Sequence, residues 1–473
     1  MVNTSDGIVV FLPLSKANFL EMLPIAKGLL SAGRLRPVFC LDSKRAGLTV
    51  AVHGEEMEAW APDGSLRIAS DATTPVRDDD GATPPENSAS PKKRAFSLLP
   101  SFFQSLAVLR AERVRIRKLF AKHSTVRLII VAGDRNVGIE TALIAEGNRR
   151  NIPSLIVPFA MSFPEAAAEP RLRIGTFQEK YGLHTLPRKI LRSFFPSWVR
   201  VHKGTPMFFH PAWTGLAAWC LGMMPKKPWI IGGGSATLMA AESEAIKRDL
   251  IEQGMTPEKL VVTGKPGLDA IAEQLRTVRA SEKRKALGIP DGVKVILCSV
   301  PQLAEHDLLS WDRHKQEMEF LFQTMVATGA YVLLSLHPKS DRAWYQPLAD
   351  GAGVHINDER IYQLLPVCDI FIATYSSIVA QAIALHKPSI VIDFYELQYP
   401  LYADAPGVTV LRDREKFLPL LKNLLTDANL YDTYVRAQKD HGTEWALLDG
   451  KNTERVIALV NRLIKERNTQ EQK

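Results

Sequence analysis

Thr374, Tyr375, Ser376 and Ser377 place hydroxyl groups between a short apolar run, Ile370 to Ala373, and a helix-compatible stretch, Ile378 to Leu385. Lys387-Pro388 stops that helix, and Ser389 to Ile392 is a second apolar run. The pattern predicts a buried strand, a helix and a second buried strand. Hydroxyls at such a turn have two uses. A serine can cap the helix, or it can join the free N–H groups of the first helical turn in holding an anion. One strand–helix step upstream, the apolar run from Tyr331 ends in His337-Pro338-Lys339. An imidazole that gives or takes a hydrogen bond near neutral pH, and an ammonium, thus fall at the same carboxyl edge as the hydroxyls. Gln302 follows a third run, Lys294 to Val300, at that edge. Open α/β sheets bind ligands there, and this set of groups suits a nucleotide diphosphate. In the plainer reading Ser376 is only a cap, His337 only ends a strand, and Lys339 is solvated.

The elements that must position these groups alternate between strand and helix. Gly7 to Pro13, Asn18 to Ala32 and Arg36 to Leu41 predict a strand, a helix and a strand, an opening that favours a parallel sheet. Leu128 to Val131 is a further buried strand, followed by Gly133-Asp134-Arg135, a helix from Gly138 to Asn148 and a strand from Ser154 to Val157. Asp134 and Arg135 therefore fall at the carboxyl edge of a first sheet. A carboxylate there acts as a base or orients a hydroxyl; equally, it serves to stabilise its own turn. Trp229 to Gly234 predicts a strand entering the turn Gly232-Gly233-Gly234, with a helix from Ala240 to Gln253. The glycines admit close approach to backbone but lack full phosphate-loop spacing. Lys259 to Thr263 is a strand followed by Gly264-Lys265-Pro266-Gly267. At 473 residues the chain exceeds one ordinary core, so two domains are expected, with the boundary between Ala270 and Asp291. The last helix, Asn452 to Arg467, has apolar positions Val456, Ile457, Leu459, Val460 and Leu463. It is expected to close the second domain.

The net charge of +8 favours acidic ligands or anionic lipid surfaces. Without zinc-finger spacing or an aromatic RNA-binding motif, nucleic acid is not expected as a partner. The four cysteines, Cys40, Cys220, Cys298 and Cys368, lie far apart without metal-ligand spacing, which predicts thiols in a reducing compartment. The apolar start lacks a basic leader and reads as a first strand, not a secretory signal. Asp71 to Lys93 is too polar and too rich in proline to fold alone. Leu106 to His123 is a basic helix. Glu165 to Lys203 reads as irregular and basic, interleaved with Phe194, Phe195 and Trp198, and Met207 to Met224 is apolar and aromatic. Lys189 to Met224 is expected to dock on a membrane or a lipid-linked acceptor; packing on the domain or a homodimer interface is the competing reading.

Several of these motifs resemble known families. Val131-Ala132-Gly133-Asp134-Arg135, the later Asn151-Ile152-Pro153, and Val262-Thr263-Gly264-Lys265-Pro266-Gly267-Leu268-Asp269 look like signatures of UDP-N-acetylglucosamine 2-epimerases. Ser335-Leu336-His337-Pro338 with Tyr375-Ser376-Ser377 resembles both those epimerases and bacterial transferases of the CDP-glycerol, sialyl and Kdo type. The resemblance implies an α/β fold of two doubly wound, Rossmann-like domains with a cleft between them, the glycosyltransferase-B architecture. On this reading residues 1–270 form the acceptor-side domain, with inserts near 71–93 and 171–228, and residues 285–473 the nucleotide-binding domain. The chain departs from the epimerases after Ile152-Pro153, where it reads Ile156-Val157-Pro158-Phe159-Ala160-Met161 in place of a histidine and a glycine-rich turn. It also has Tyr375-Ser376-Ser377 where many epimerases have Ser-Gly-Gly.

The resemblance therefore implies a glycosyltransferase for surface polysaccharide or glycolipid, with an epimerase-like nucleotide-sugar enzyme as the alternative. Gln302, His337, Pro338, Lys339, Thr374, Tyr375, Ser376, Ser377 and Lys265 are expected to contact the nucleotide or its phosphates. Asp134 is the candidate base, with Glu165 and Glu169 as further candidates. Gly133 and Arg135 are expected at the substrate. No metal or cofactor is expected beyond the nucleotide-activated donor. The partners would be that donor and a glycan or lipid-linked acceptor. The location would be cytoplasmic, on the inner face of the membrane.

Overall fold

The computed structural model describes residues 7–41, 48, 51–52, 54, 57–60, 98–159, 163–306, 308–337, 340–395, 397 and 400–471. The chain divides into two compact units. The first comprises Met1–Glu242, Ile246–Gly267 and Lys451–Lys473, and the second Ser243–Ala245 and Leu268–Gly450.

The strands of the first unit are β1 (Gly7–Leu12), β2 (Leu35–Cys40), β3 (Glu58–Trp60), β4 (Val126–Val131), β5 (Ser154–Ile156), β6 (Val199–His202), β7 (Thr205–Phe208), β8 (Leu238–Ala241) and β9 (Leu260–Val262). Seven of them form one sheet in the order β3-β2-β1-β4-β5-β8-β9, with every pair parallel. The runs Ile8 to Leu12 and Leu128 to Val131 are fully buried, as expected where helices cover both faces of a parallel sheet. The helix Lys16–Ser31 begins where the Ser15 hydroxyl accepts the Asn18 N–H at 3.2 Å. It buries Phe19, Met22, Ile25, Ala26 and Leu29 against the sheet.

The helix Asn452–Glu471 completes this same core through Val456, Leu459, Val460 and Leu463. The sequence reading places it in the second domain; the structure assigns it to the first unit. A Cβ on Gly28 would lie 2.4 Å from Ile457 Cδ1, so the glycine is what lets the two helices touch. Asn452 is buried and its Nδ2 donates to the Lys265 carbonyl at 3.0 Å. Gly264 has φ +79°, and a Cβ there would lie 2.0 Å from Asn452 Oδ1. Only glycine meets both demands.

Two other expectations change. Trp229 to Ile231 form turns and bends, and the strand falls later, at β8, overlapping the first two residues of the stretch expected to be helical; the following helix is Glu244–Glu252. The segment expected to be irregular folds into the helices Pro164–Arg173, Phe177–Lys180 and Leu186–Phe194 and the antiparallel hairpin β6–β7, with the helix Ala212–Cys220 after them. Two small clusters hold it, one around Phe177, Met207, Phe209 and Trp229, the other around Leu191, Trp198 and Phe208. The basic helix spans Leu98–Lys122. The insert from Asp71 to Lys93 lies outside the described residues. No described helix is long and apolar enough to cross a membrane.

The second unit has β10 (Val295–Ser299), β11 (Tyr331–Ser335), β12 (His355–Asn357), β13 (Ile370–Ala373), β14 (Ser389–Ile392) and β15 (Val408–Leu411). They form one parallel sheet in the order β12-β11-β10-β13-β14-β15. This is a doubly wound sheet whose order reverses at β10, the position where such sheets open a crevice. Ile296, Cys298, Leu334, Ile370, Ile372 and Ile390 face Met318, Leu321, Phe322, Phe417 and Leu421 in its core. The Cys298 and Cys368 thiols are buried and pushed up to about 12 by that burial, so both stay protonated and inert.

Candidate functional site

A cavity of about 830 Å³ opens at the carboxyl edge of the second sheet, within the size range of small-molecule sites. Its walls are the segments that leave four adjacent strands. Ser299 to Leu303 follow β10, Ser335 to His337 follow β11, Asn357 to Ile361 follow β12, and Thr374 to Ile378 follow β13. Gln302, His337, Thr374, Tyr375, Ser376 and Ser377, from three separate stretches of sequence, thus line one cavity. Pro338 and Lys339 lie outside the described residues.

The hydroxyls differ in what they are free to do. Ser376 Oγ accepts the Ile378 N–H at 3.3 Å, so it does the work of a cap. Thr374 and Ser377 make no side-chain hydrogen bond among the described residues, and their hydroxyls remain available to a ligand. The Tyr375 hydroxyl donates to Asp393 Oδ2 at 3.1 Å. Burial, and then the Asp393 charge, push its phenol well up, so it stays neutral. Gln302 Nε2 donates to Ser340 Oγ at 3.3 Å, and Ser340 Oγ donates to Glu305 Oε1 at 2.9 Å. The Tyr345 hydroxyl donates to the same oxygen at 2.8 Å. Glu305 thereby fixes the orientation of the Gln302 carboxamide through Ser340. The cavity also has residues that sequence reasoning missed, among them Arg342 and Arg360. Arg342 pairs with Asp358, whereas Arg360 has no ion-pair partner among the described residues. Arg360 follows β12, a short strand with little apolar signal, and Arg342 opens the helix Arg342–Ala352 that leads into that strand.

In the first unit the candidates take other work. Asp134 is 1% exposed. Its Oδ1 accepts the Gly232 N–H at 2.8 Å and its Oδ2 the Gly234 N–H at 2.9 Å. Burial raises its pKa against those hydrogen bonds. The carboxylate therefore shapes the triple-glycine turn, and its oxygens are already spoken for; this corrects its assignment as the base. Gly133 donates its N–H to Glu140 Oε1 at 3.1 Å. Glu165 pairs with Arg200. Glu169 accepts from Arg173 at 2.9 Å, from Lys203 at 3.2 Å and from His202 at 2.9 Å. Burial pushes the Glu169 carboxyl up, but these partners outweigh it and hold it at about 2, too acidic for a base near neutral pH. Both glutamates are structural ion-pair partners, and the expectation of catalysis from them is corrected too.

Lys265 is also committed. Its Nζ lies 3.5 Å from Glu21 Oε1 and donates to the Phe159 carbonyl. Burial lowers its pKa, but the Glu242 and Glu21 carboxylates raise it on balance. It is neutralised within its own unit, which corrects its assignment to phosphate. The cluster brings forward a group that sequence reasoning passed over. Glu242 follows β8 at the carboxyl edge of the first sheet, and its Oε1 is buried without a hydrogen-bond partner. Burial raises its carboxyl above the ordinary range, with Lys265 opposing. Among the described residues no group of His, Cys, Asp and Glu is placed to hold a metal ion.

Residues 251–462 match the family described as CDP-Glycerol:Poly(glycerophosphate) glycerophosphotransferase, and every wall of the cavity lies inside that span. No curated protein matches the chain in sequence. The fold is similar to that of UDP-GlcNAc 2-epimerase from Neisseria meningitidis bound to UDP-GlcNAc, at 13% identity and a TM-score of 0.53 over 96% of this chain and 99% of that one. It is also similar to S. aureus MnaA in complex with UDP, at 13% identity and a TM-score of 0.52 over 97% of each chain. With its two parallel α/β sheets, the chain has the glycosyltransferase-B type of fold.

Proposed function

We propose that the chain is a transferase that moves a sugar, or a related polyol phosphate, from a nucleotide-activated donor to an acceptor in the synthesis of a surface polysaccharide or glycolipid. The observation that carries this reading is the cavity of the second unit. It lies at the reversal of strand order, it gathers His337, Gln302, Thr374 and Ser377, and it falls inside the span matched by a glycerophosphotransferase family. In the transfer an acceptor hydroxyl forms a bond to the donor's sugar carbon, or to the phosphorus bearing the polyol. The bond from that centre to the nucleotide phosphate breaks, and the hydroxyl proton passes to a base. His337, Thr374 and Ser377 stabilise the charge that gathers on the departing nucleotide. Glu242 is the acid–base group of the first unit, in place of Asp134, Glu165 and Glu169.

The fold likeness keeps a nucleotide-sugar 2-epimerase as the second reading. Epimerisation needs an acid and a base at one carbon. Asp134 and His337 would be that pair, and the engagement of both Asp134 oxygens with the Gly232 and Gly234 N–H groups weighs against it. Incubation with UDP-N-acetylglucosamine alone separates the two, because an epimerase needs no acceptor.

The proposed location is peripheral, on the cytoplasmic face of the membrane. Leu186, Ile190 and Phe194 recur every fourth residue of one helix and are 69%, 50% and 74% exposed. Lys189 and Arg192 are exposed on the same helix, which has no acidic residue. Phe195 bridges the helix to the exposed Trp219, whose ring centroid lies 5.3 Å away. An apolar stripe with basic flanks and an interfacial tryptophan fits an anionic lipid surface.

The test of the transferase reading is thermal unfolding with CMP, CDP, UDP and UDP-N-acetylglucosamine, on wild type and His337→Ala. A nucleotide at about a hundred times its dissociation constant adds about 2.7 kcal/mol, and the variant should lose that response. A wild type that responds to none of the four overturns the donor site.

A further inference from the structure

A chain of hydrogen bonds runs from the cavity into the interior of the second unit, and every proton in it points toward one carboxylate. Gln302 lines the cavity after β10. Its Nε2 donates to Ser340 Oγ at 3.3 Å, and the one Ser340 hydroxyl proton goes to Glu305 Oε1 at 2.9 Å. The Tyr345 hydroxyl proton goes to the same oxygen at 2.8 Å. That proton is then spent, so the Tyr345 oxygen accepts from His314 Nε2, 2.7 Å away. His314 is therefore the neutral tautomer protonated on Nε2. Burial lowers its pKa in the same sense, with the Glu305 and Glu317 charges opposing. Its Nδ1 is buried without a hydrogen-bond partner, and protonating it would strand a donor there.

The far end of the chain is shut in. Tyr345 and His314 are fully buried, and neither they nor Glu305 line the cavity. The Trp344 ring stacks on His314, with centroids 5.1 Å apart and planes at 21°, and the Trp311 ring meets it edge-on at 5.9 Å. Glu305 has no lysine or arginine partner among the described residues. Its Oε2 is buried without a hydrogen bond, so the two bonds donated to Oε1 are what compensate the carboxylate.

A carboxylate only accepts. Glu305 thus compels Ser340 to turn its proton inward, and Ser340 can then only accept from Gln302. An amide free to flip is set one way round, with its nitrogen on Ser340. Gln302 Oε1 takes no hydrogen bond among the described residues, so the oxygen is the atom left for a ligand. An oxygen needs a donor. The phosphate oxygens of a nucleotide diphosphate are acceptors, whereas its nucleoside carries O–H groups on the ribose and N–H groups on the base. We propose that Gln302 binds the nucleoside of the donor through Oε1, and that Glu305, Tyr345 and His314 are the positioning residues that set its polarity. The inference rests on the nucleotide-donor reading and specifies which part of the donor Gln302 holds.

The experiment is thermal unfolding of the full chain over a concentration series of UDP and CDP, of their 2′,3′-dideoxy forms, and of inorganic pyrophosphate in competition with the nucleotide. Gln302→Leu should weaken the nucleotide about tenfold and leave pyrophosphate unchanged. Glu305→Gln should weaken the nucleotide by a smaller factor, and the double variant should bind no more weakly than Gln302→Leu alone. Ser340→Ala, which cuts the chain at a small half-buried side chain, should show the same lack of additivity. Three results overturn the inference: unchanged nucleotide affinity in Gln302→Leu; equal losses for nucleotide and pyrophosphate, which put Gln302 on the phosphates; or losses in Glu305→Gln and Ser340→Ala that multiply with that of Gln302→Leu, which make the chain a brace and nothing more. The dideoxy arm locates the donor group: a Gln302→Leu factor that vanishes there assigns it to the ribose, and one that persists assigns it to the base. A wild type that binds no nucleotide overturns the donor site itself, whereas a wild type that binds beside indifferent variants overturns this inference alone.

Discussion

Asp134→Asn separates the two roles a carboxylate can have at the end of β4. The substitution keeps the shape and replaces one oxygen with an NH2 group. Both oxygens accept backbone N–H groups, at 2.8 and 2.9 Å, and the side chain is 1% exposed. One charge-assisted hydrogen bond is lost, about 1.5–3 kcal/mol, and a buried donor is left facing a donor, about 1–3 kcal/mol. Removing a buried charge returns part of this, since burial already disfavours the ionised form. The turn has no room to rearrange, because even a Cβ on Gly234 would lie 2.6 Å from Asp134 Oδ2. The expected net loss is about 2–4 kcal/mol. It should appear in denaturant unfolding of the full chain, while transferase activity per folded molecule stays within a fewfold of wild type. A general base would behave in the opposite way, with stability unchanged and turnover down by about a hundredfold to ten-thousandfold. That result would refute the structural assignment.

Three further outcomes are expected. Glu242→Gln should remove the acid limb of the pH–rate profile: the wild-type rate should fall as pH drops through a carboxyl pKa raised by burial, and an unaltered limb in the variant would exclude Glu242 as the base. Ile190→Glu combined with Phe194→Glu should abolish flotation with vesicles containing phosphatidylglycerol while leaving the nucleotide response intact. Retained flotation, or a change in oligomeric state instead, would count against the lipid surface. Glu146, on the helix Ile139–Arg149, is buried and accepts from Arg149 and Arg150; burial pushes its carboxyl up, but the two arginines outweigh it, so Glu146, like Glu169, is held at about 2, below an unfolded value of about 4.3. The stability they supply is therefore complete above the unfolded value and lost as pH falls toward 2. Glu146→Gln with Glu169→Gln should flatten that part of the melting-temperature profile; an unchanged slope would show that other carboxylates govern acid unfolding.

The second sheet is legible because each strand is a short apolar run with a punctuated end. Hydroxyls, a histidine and a glutamine placed at those ends had to share an edge once the sheet was parallel. What stayed hidden depends on partners remote in sequence. Asp134 and its glycine turn are 98 and 100 residues apart, so spacing alone offered base and brace as equals. Lys265 reads as a free cation until Glu21 and Glu242 are beside it. Arg360 was missed because β12 is three residues long, His355 to Asn357, with one aliphatic side chain among them. The Asn452 helix announced that it needed an apolar partner, but nothing in its periodicity says which sheet supplies it; that answer lies in Gly28 and Gly264.

That helix has a consequence for how the protein is made. The first unit is assembled from both ends of the described chain, with residues 268–450 between its parts. During synthesis the ribosome therefore releases β1 to β9 long before it releases Val456, Leu459, Val460 and Leu463, which share their core. The second unit has all its strands and helices available while the first still shows water the apolar face left for those residues. Domains generally fold as units as they emerge; here the unit begun first is the one finished last. In the interval it depends on whatever in the cell shields exposed apolar surface.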